Sequence, residues 1–184
     1  EYNRATRALR NPGSAVKPFV YATAFEEGWT QATLVPDRPL EFPDPSQKGG
    51  VWRPKNFSGT FLNREITVRY ALDLSLNLPA IYTAQAIGVE KVARKLSQAG
   101  FAVKYPTLAI AIGGASITPV DLAAAYAAFA NGGYRVAPIY VKRVEDAQGQ
   151  VLYQALPERR RLFDPQVAYQ GWDLLKGYVY DLGE

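Results

Sequence analysis

The sequence predicts an α+β domain in which helices predominate and the β structure is confined to a small hairpin and an incomplete sheet. Apolar residues recur with helical spacing in several segments that start at capping residues or prolines and end at glycines, whereas short β-type runs are few. The 184 residues are 48% hydrophobic and 21% charged. This composition is typical of a globular protein, and the length is sufficient for one domain with a real core.

The first predicted helix begins at Ser14 and runs to about Glu27. Pro18 falls in its first turn, where a proline is tolerated because the N–H that it lacks has no helical partner there. From Trp29 to Asn63 the chain is rich in prolines, glycines and turn residues, which include Pro36 and Asp37. That segment is predicted to be a long loop, either functional or held by tertiary contacts.

Three helices are predicted next. Thr67 is a candidate N-cap for a short helix that ends at Leu74 and Ser75. A second helix is expected to start near Pro79 and to end at Gly88. The third, with an amphipathic pattern, should stop at Gly100, because glycine commonly follows a helix end.

The segment Thr118-Pro119 predicts another helix start, with an N-cap followed by proline at the first helical position. This helix is rich in alanine, so we expect it to be buried on nearly every side and to form the centre of the core. Two short runs around Asp146-Ala147-Gln148-Gly149 then predict a β-hairpin, from 139 to 144 and from 151 to 153. A last helix should extend from Asp164 to about Tyr180.

Ser14 and Lys17 are the first candidate catalytic residues. The chain contains no histidine and no cysteine, which excludes Ser-His and Cys-His couples and ordinary zinc sites. A serine needs a nearby base to become nucleophilic, and a lysine three residues later lies on the same helical face. That lysine must be neutral at least transiently, which requires burial or a neighbouring positive charge. The Ser14 backbone N–H, at the helix start, could also stabilise an oxyanion. The alternative is a capping serine beside a solvated lysine.

Ser75 and Asn77 are the second candidate pair. They lie between two predicted helices in otherwise apolar surroundings, where a loop can present a hydroxyl and an amide to a cleft. The alternative is that these side chains cap helix ends.

The two pairs together, S-x-x-K followed by S-x-N, resemble the transpeptidase domain of class A (bifunctional) penicillin-binding proteins. Flanking segments extend the resemblance over almost the whole chain: 3–6, 12–14, 17–19, 54–57, 68–72, 79–80, 118–119, 125–126 and 130–133. The resemblance implies the fold shared by penicillin-binding proteins and serine β-lactamases, of which this chain would contain mainly the helical part.

The activity implied by this resemblance is D,D-transpeptidation of peptidoglycan stem peptides. Ser14 matches the nucleophile, which is acylated with release of D-alanine, and Lys17 matches its base. Ser75 matches a hydroxyl that relays a proton, and Asn77 an amide that orients the donor peptide and the lysine. β-Lactams would acylate Ser14 by mimicking the D-Ala-D-Ala end. No metal or organic cofactor is implied.

The sequence departs from the family pattern in one respect, because no K-T-G motif occurs in it. We therefore interpret residues 1–184 as a partial transpeptidase domain that lacks the first strands and the K-T-G strand, with no glycosyltransferase domain in this chain. The missing strand would bind the substrate carboxylate and supply a second oxyanion N–H, so we expect the fragment alone to be inactive. The implied parent protein is bacterial and acts at the extracytoplasmic face of the cell membrane through an upstream anchor.

Other functions remain open from the sequence. A D,D-carboxypeptidase would use the same residues with water as the acceptor. A serine β-lactamase would need a deacylating base, and the E-x-x-L-N pattern of the class A enzymes is absent. A non-catalytic β-lactam sensor or peptidoglycan-binding domain is a further alternative. Nucleic acid is not an expected partner, because the net charge is only +4 and the Arg159-Arg160-Arg161 run lacks interleaved aromatic residues.

Overall fold

A computed structural model of the chain describes residues 2–44 and 48–181. Residues 45–47 of the predicted loop lie outside the described part. The described helices are α1 (Arg4–Arg7), α2 (Lys17–Glu26), α3 (Val68–Asp73), α4 (Asn77–Ile87), α5 (Val89–Ala99), α6 (Pro119–Ala130) and α7 (Pro165–Asp181), with 3₁₀ turns at Gly13–Val16 and Leu108–Ile112. None of the helices in this described part is both long and apolar enough to cross a bilayer.

The strands of the described part form four separate antiparallel pairs. In chain order they are β1 (Leu34–Asp37), β2 (Phe42–Pro43), β3 (Val51–Trp52), β4 (Arg64–Thr67), β5 (Tyr134–Val136), β6 (Arg143–Glu145), β7 (Val151–Gln154) and β8 (Arg159–Arg161). β1 pairs with β4, β2 with β3, β5 with β8, and β6 with β7. The predicted mixture of helices with a small hairpin and an incomplete sheet is therefore confirmed.

Helix α2 forms the centre of the core, because every residue from Lys17 to Phe25 is buried. The Phe19 ring lies 5.4 Å from the ring of Phe101 and 5.2 Å from each of the rings of Tyr126 and Phe129. The prediction that the alanine-rich helix is the buried centre was wrong. Helix α6 has an exposed side, since small alanine side chains are compatible with solvent as well as with close packing.

Several predicted boundaries are confirmed by capping contacts. The Thr67 hydroxyl accepts a hydrogen bond from the Tyr70 backbone N–H (3.2 Å), and the Thr118 hydroxyl accepts one from the Asp121 N–H (3.2 Å). Gly100 ends α5 in the left-handed conformation, with φ of 105°. The last helix begins at Pro165, directly after Asp164, as predicted.

The segment from Trp29 to Asn63 was wrongly predicted to lack regular structure. It contains β1, whose residue Asp37 pairs in register with Arg64 at the start of β4. Asp37 is therefore a buried strand residue, although its sequence context after a proline is typical of a turn. Long-range pairing with β4 stabilises this strand, and local sequence carries no signal of it.

Candidate active site

Ser14 lies in the 3₁₀ turn that precedes α2, and it is exposed. The α-helix therefore begins at Lys17, three residues later than predicted. Two contacts fix this turn from outside. The Tyr126 hydroxyl donates a hydrogen bond to the Ala15 carbonyl (2.8 Å), and Gly113 packs so closely that a Cβ there would lie 2.6 Å from the Gly13 backbone nitrogen.

Lys17 is completely buried at the start of α2. Its amine donates hydrogen bonds to the Ser75 carbonyl oxygen (2.5 Å) and to the Ser75 hydroxyl oxygen (3.3 Å). Burial lowers the pKa of the Lys17 amine from 10.5 to about 8, because an ammonium ion is poorly solvated in this environment. The alternative of a solvated lysine beside a capping serine is thus excluded.

Ser14 and Ser75 line the same cavity of about 220 Å³, which is also lined by Tyr126 and by Tyr178 of α7. Within the described residues, the Lys17 amine is hydrogen bonded to Ser75 and not to Ser14. The structure therefore places two of the four predicted residues, Ser14 and Ser75, on one cavity, and Lys17 is connected to it through its hydrogen bonds to Ser75. A nucleophile–base contact in such sites commonly tightens only when substrate is bound.

Ser75 has a backbone conformation that non-glycine residues rarely adopt, with φ of 51°. It lies in the short connection between α3 and α4, where its N–H donates to the Leu72 carbonyl (2.7 Å). This conformation lets the carbonyl and the hydroxyl of one residue both accept from the Lys17 amine. Strained residues of this kind are concentrated at functional sites.

Asn77 is the first residue of α4, two residues before the predicted helix start. Its side-chain amide donates to the Lys55 carbonyl (2.8 Å), which connects it to the segment 54–57. In the described part of the chain this amide has no hydrogen bond to Lys17, so the orienting contact implied by the resemblance is not present here. The Asn77 backbone N–H donates to the Asn56 side-chain oxygen (2.8 Å).

The site also depends on four residues that were not predicted as parts of it, namely Asp37, Asn56, Gly113 and Tyr126. Each contacts it through residues distant in sequence, so no local spacing could indicate them. Asn56 and Tyr126 lie in flanking segments of the family pattern, 54–57 and 125–126, but neither was given a role there. Within the described residues, no cluster of three or more carboxylates, histidines or cysteines is arranged to hold a metal ion.

Comparison with known proteins gives one consistent result. Residues 1–180 match the family model described as the penicillin binding protein transpeptidase domain. The chain is 44% identical over 160 residues to penicillin-binding protein 1A of Pseudomonas aeruginosa, which covers 86% of this chain and 19% of that protein. It is 36% identical over 185 residues to penicillin-binding protein 1A of Neisseria lactamica, covering 97% of this chain and 23% of that protein.

A solved structure of similar fold is the crystal structure of penicillin-binding protein 1A from Haemophilus influenzae. The match has a TM-score of 0.88 at 29% sequence identity, and it covers 97% of this chain and 31% of that chain. The chain thus spans about a fifth of the length of the two relatives compared by sequence and about a third of this structure.

Proposed function

The chain belongs to the penicillin-binding protein transpeptidase family, and on this premise we propose that it carries the nucleophile of a serine D,D-transpeptidase that cross-links peptidoglycan stem peptides. The observation that carries the proposal is the buried amine of Lys17, whose pKa is lowered to about 8 one helical turn after an exposed serine. A buried lysine of this kind can accept a proton near neutral pH, whereas a solvated one cannot.

In the proposed reaction, the neutral Lys17 amine removes the proton of the Ser14 hydroxyl as the Ser14 oxygen attacks the carbonyl of the penultimate D-alanine. Collapse of the tetrahedral intermediate breaks the peptide bond. The departing D-alanine nitrogen takes a proton from the Ser75 hydroxyl. The Lys17 ammonium, whose nitrogen lies 3.3 Å from the Ser75 hydroxyl oxygen, then gives a proton back to Ser75. The result is an ester on Ser14, free D-alanine and a neutral lysine.

The second half of the reaction reverses these proton transfers. An amine of a neighbouring stem peptide attacks the Ser14 ester, and its proton passes through Ser75 to Lys17. The new amide bond forms as the ester bond breaks, and the proton on Lys17 returns to the Ser14 oxygen. Asn77, at the start of α4, is proposed to bind the donor peptide backbone. A β-lactam would open on Ser14 in the same way and leave an acylated serine.

Labelling with a fluorescent penicillin tests this proposal. We expect the full-length protein to be labelled with a stoichiometry near one, and mass spectrometry of a proteolytic digest should place the adduct on Ser14. Ser14→Ala should abolish labelling, and Lys17→Met should reduce the labelling rate by about 10²- to 10⁴-fold, the usual contribution of general-base catalysis. An unlabelled wild-type protein, or an adduct on another residue, would refute the proposal.

Product analysis with a pentapeptide donor separates transpeptidation from hydrolysis. A cross-linked product in the presence of an acceptor amine supports the transpeptidase, whereas free tetrapeptide alone would indicate a carboxypeptidase.

Since peptidoglycan lies outside the cytoplasmic membrane, we propose that the site faces the extracytoplasmic side of the cell membrane, held there by a membrane anchor upstream in the parent protein.

A further inference from the structure

Two buried polar side chains, Asp37 and Asn56, connect strand β1 with the amino terminus of α4. Asn56 donates through its side-chain nitrogen to an Asp37 carboxylate oxygen (2.8 Å) and to the Thr60 carbonyl (3.0 Å). The other Asp37 oxygen accepts from the Leu62 backbone N–H (2.7 Å). Both side chains are almost or completely shielded from solvent. Buried polar groups with this many contacts define one geometry rather than several.

Asn56 caps α4 from outside the helix. The residue at the N-cap position, Leu76, has no side chain that can accept a hydrogen bond, and the first N–H groups of a helix have no intrahelical partner. The Asn56 side-chain oxygen accepts from the Asn77 N–H (2.8 Å) and the Leu78 N–H (3.4 Å). With these two contacts, all the donors and acceptors of the Asn56 side chain are used.

The orientation of the Asn56 amide is dictated by Asp37. The carboxylate accepts hydrogen bonds only, so it selects the NH₂ group of Asn56 and turns the amide oxygen towards α4. Reversal of the amide would place two oxygens against each other and two donors against the helix N–H groups. Asp37 therefore acts on the helix terminus through Asn56, with no contact of its own to Ser75 or Lys17.

The start of α4 determines where Ser75 lies, because Ser75 precedes Asn77 by only two residues. Ser75 is held at a φ of 51° and presents both its carbonyl and its hydroxyl to the Lys17 amine. We propose that Asn56, oriented by Asp37, is a positioning residue that sets the geometry of the Ser75–Lys17 contact and hence the rate of Ser14 acylation. This inference rests on the function proposed above.

Exchanging the two side chains tests the proposal in the full-length protein. In Asn56→Asp, a carboxylate oxygen would face the Asp37 carboxylate and the Thr60 carbonyl, and the repulsion should displace the start of α4. We expect the acylation rate constant at saturating fluorescent penicillin to fall by about 10²-fold, the usual cost of misplacing a reacting group by about 1 Å. Asp37→Asn leaves one accepting oxygen for two donors, Asn56 and the Leu62 N–H, so it should also lower the rate constant.

In the double variant Asp37→Asn/Asn56→Asp, the amide introduced at position 37 can donate to the carboxylate introduced at position 56. That carboxylate can still accept from the first N–H groups of α4. Only the Thr60 carbonyl loses its partner. We expect the acylation rate constant of the double variant to be at least about tenfold higher than that of Asn56→Asp. A double-mutant cycle measures this coupling directly. A general loss of stability would not produce such recovery in the rate constant of the folded fraction.

Asn131→Asp is the matched control. The Asn131 side-chain oxygen also accepts a hydrogen bond from a backbone N–H, that of Tyr134 (3.0 Å), but Asn131 lies at the exposed carboxyl-terminal end of α6. It should leave the acylation rate unchanged. If Asn56→Asp acylates as fast as this control, or if the double variant shows no recovery, the positioning role is wrong. If Asn56→Asp does not fold, Asp37→Asn against the same control decides the question. A wild-type protein that is not labelled refutes the proposed function instead.

Discussion

Burial alone makes the Lys17 amine easier to deprotonate, as its proposed role as a base requires. With a pKa of about 8, about one Lys17 in ten is neutral at pH 7, against about one in three thousand for a lysine at 10.5. We expect the rate of Ser14 acylation by penicillin to increase with pH through about 8 and then to level off. Stopped-flow measurement of the labelling rate from pH 6 to pH 10 checks this. A rate that is flat over this range would contradict the role of Lys17 as the base.

The same burial should make Lys17 costly for stability. In the unfolded chain the amine keeps its proton up to about pH 10.5, whereas the folded protein releases it near 8, so the unfolded state binds more protons in this window and stability rises with pH. We expect the free energy of unfolding of the wild type, relative to Lys17→Met, to increase by about 3 kcal/mol between pH 8 and pH 10.5. Urea denaturation of both proteins measures it, and a constant difference would contradict the prediction.

At the residue scale, the sequence pattern indicates the residues proposed to react but not the residues that support them. Ser14 and Lys17 are close in sequence, and Ser75 and Asn77 are close to each other, so their spacing is visible in the chain. Asn56 contacts Asp37 from 19 positions away and Asn77 from 21 positions away. Such contacts depend on how β1 and the loop fold back on α4, and no periodicity in the sequence reports that.

At the scale of elements, the turn that carries Ser14 packs against Gly113, which directly follows the 3₁₀ turn Leu108–Ile112. Gly113 has a φ of 105°, and a Cβ on it would lie 2.6 Å from the Gly13 nitrogen and 2.7 Å from the Gly13 α-carbon. Backbone atoms cannot yield as the end of a side chain can. Gly113→Ala should therefore shift the turn that carries Ser14 and lower the acylation rate by about 10²-fold.

Gly88→Ala is the control for this prediction. Gly88 has a similar φ of 97°, but open space where a Cβ would lie. Both variants should lose about 1–3 kcal/mol of stability through backbone strain, and only Gly113→Ala should lose acylation. Equal acylation rates in the two variants, measured on the folded protein, would show that the close approach to Gly13 is unimportant for the reaction.

Helix α2, and not α6 as predicted, is the central helix of the core. The sequence favoured α6 as the central helix because alanine dominates it, yet alanine indicates only that a helix can be closely approached. Helix α2 contains Lys17, Tyr21 and Thr23, and such polar side chains in a sequence argue against a fully buried helix. It is nevertheless the buried helix, since its lysine belongs to the site and its Thr23 hydroxyl donates to the Phe19 carbonyl (2.7 Å).

Phe19→Ala provides a test of this assignment. Phe19 is completely buried and its ring contacts rings from α6 and from the segment after α5. We expect its truncation to lower the free energy of unfolding by about 3–5 kcal/mol, the range for a large aromatic side chain removed from a core. Leu122→Ala on the half-buried face of α6 should cost clearly less. Thermal or urea unfolding that ranks the two variants in the opposite order would contradict the central position of α2.

At the scale of the whole molecule, helix order and caps were predictable because each depends on a few adjacent residues, as Thr67, Gly100 and Thr118 show. The strand pairs were less predictable from the sequence. β1 and β4 are separated by the whole loop between Asp37 and Arg64, and pairing over that distance is specified by tertiary packing. The exposed hairpin of β6 and β7 was predictable because its turn residues lie between its strands.

These 184 residues by themselves should be poor catalysts. They contain Ser14, Lys17, Ser75 and Asn77 but no K-T-G sequence, and the strands of the described part pair only two by two. Under the function proposed above, a K-T-G strand would supply one oxyanion donor and the partner of the substrate carboxylate, and loss of a single oxyanion donor costs about 10²- to 10³-fold in rate. We expect residues 1–184 to turn over a pentapeptide donor at least that much more slowly than a full transpeptidase domain of a relative, measured by D-alanine release. Comparable turnover would show that the oxyanion is stabilised entirely by groups within this chain, with the backbone N–H of Ser14 as the first candidate.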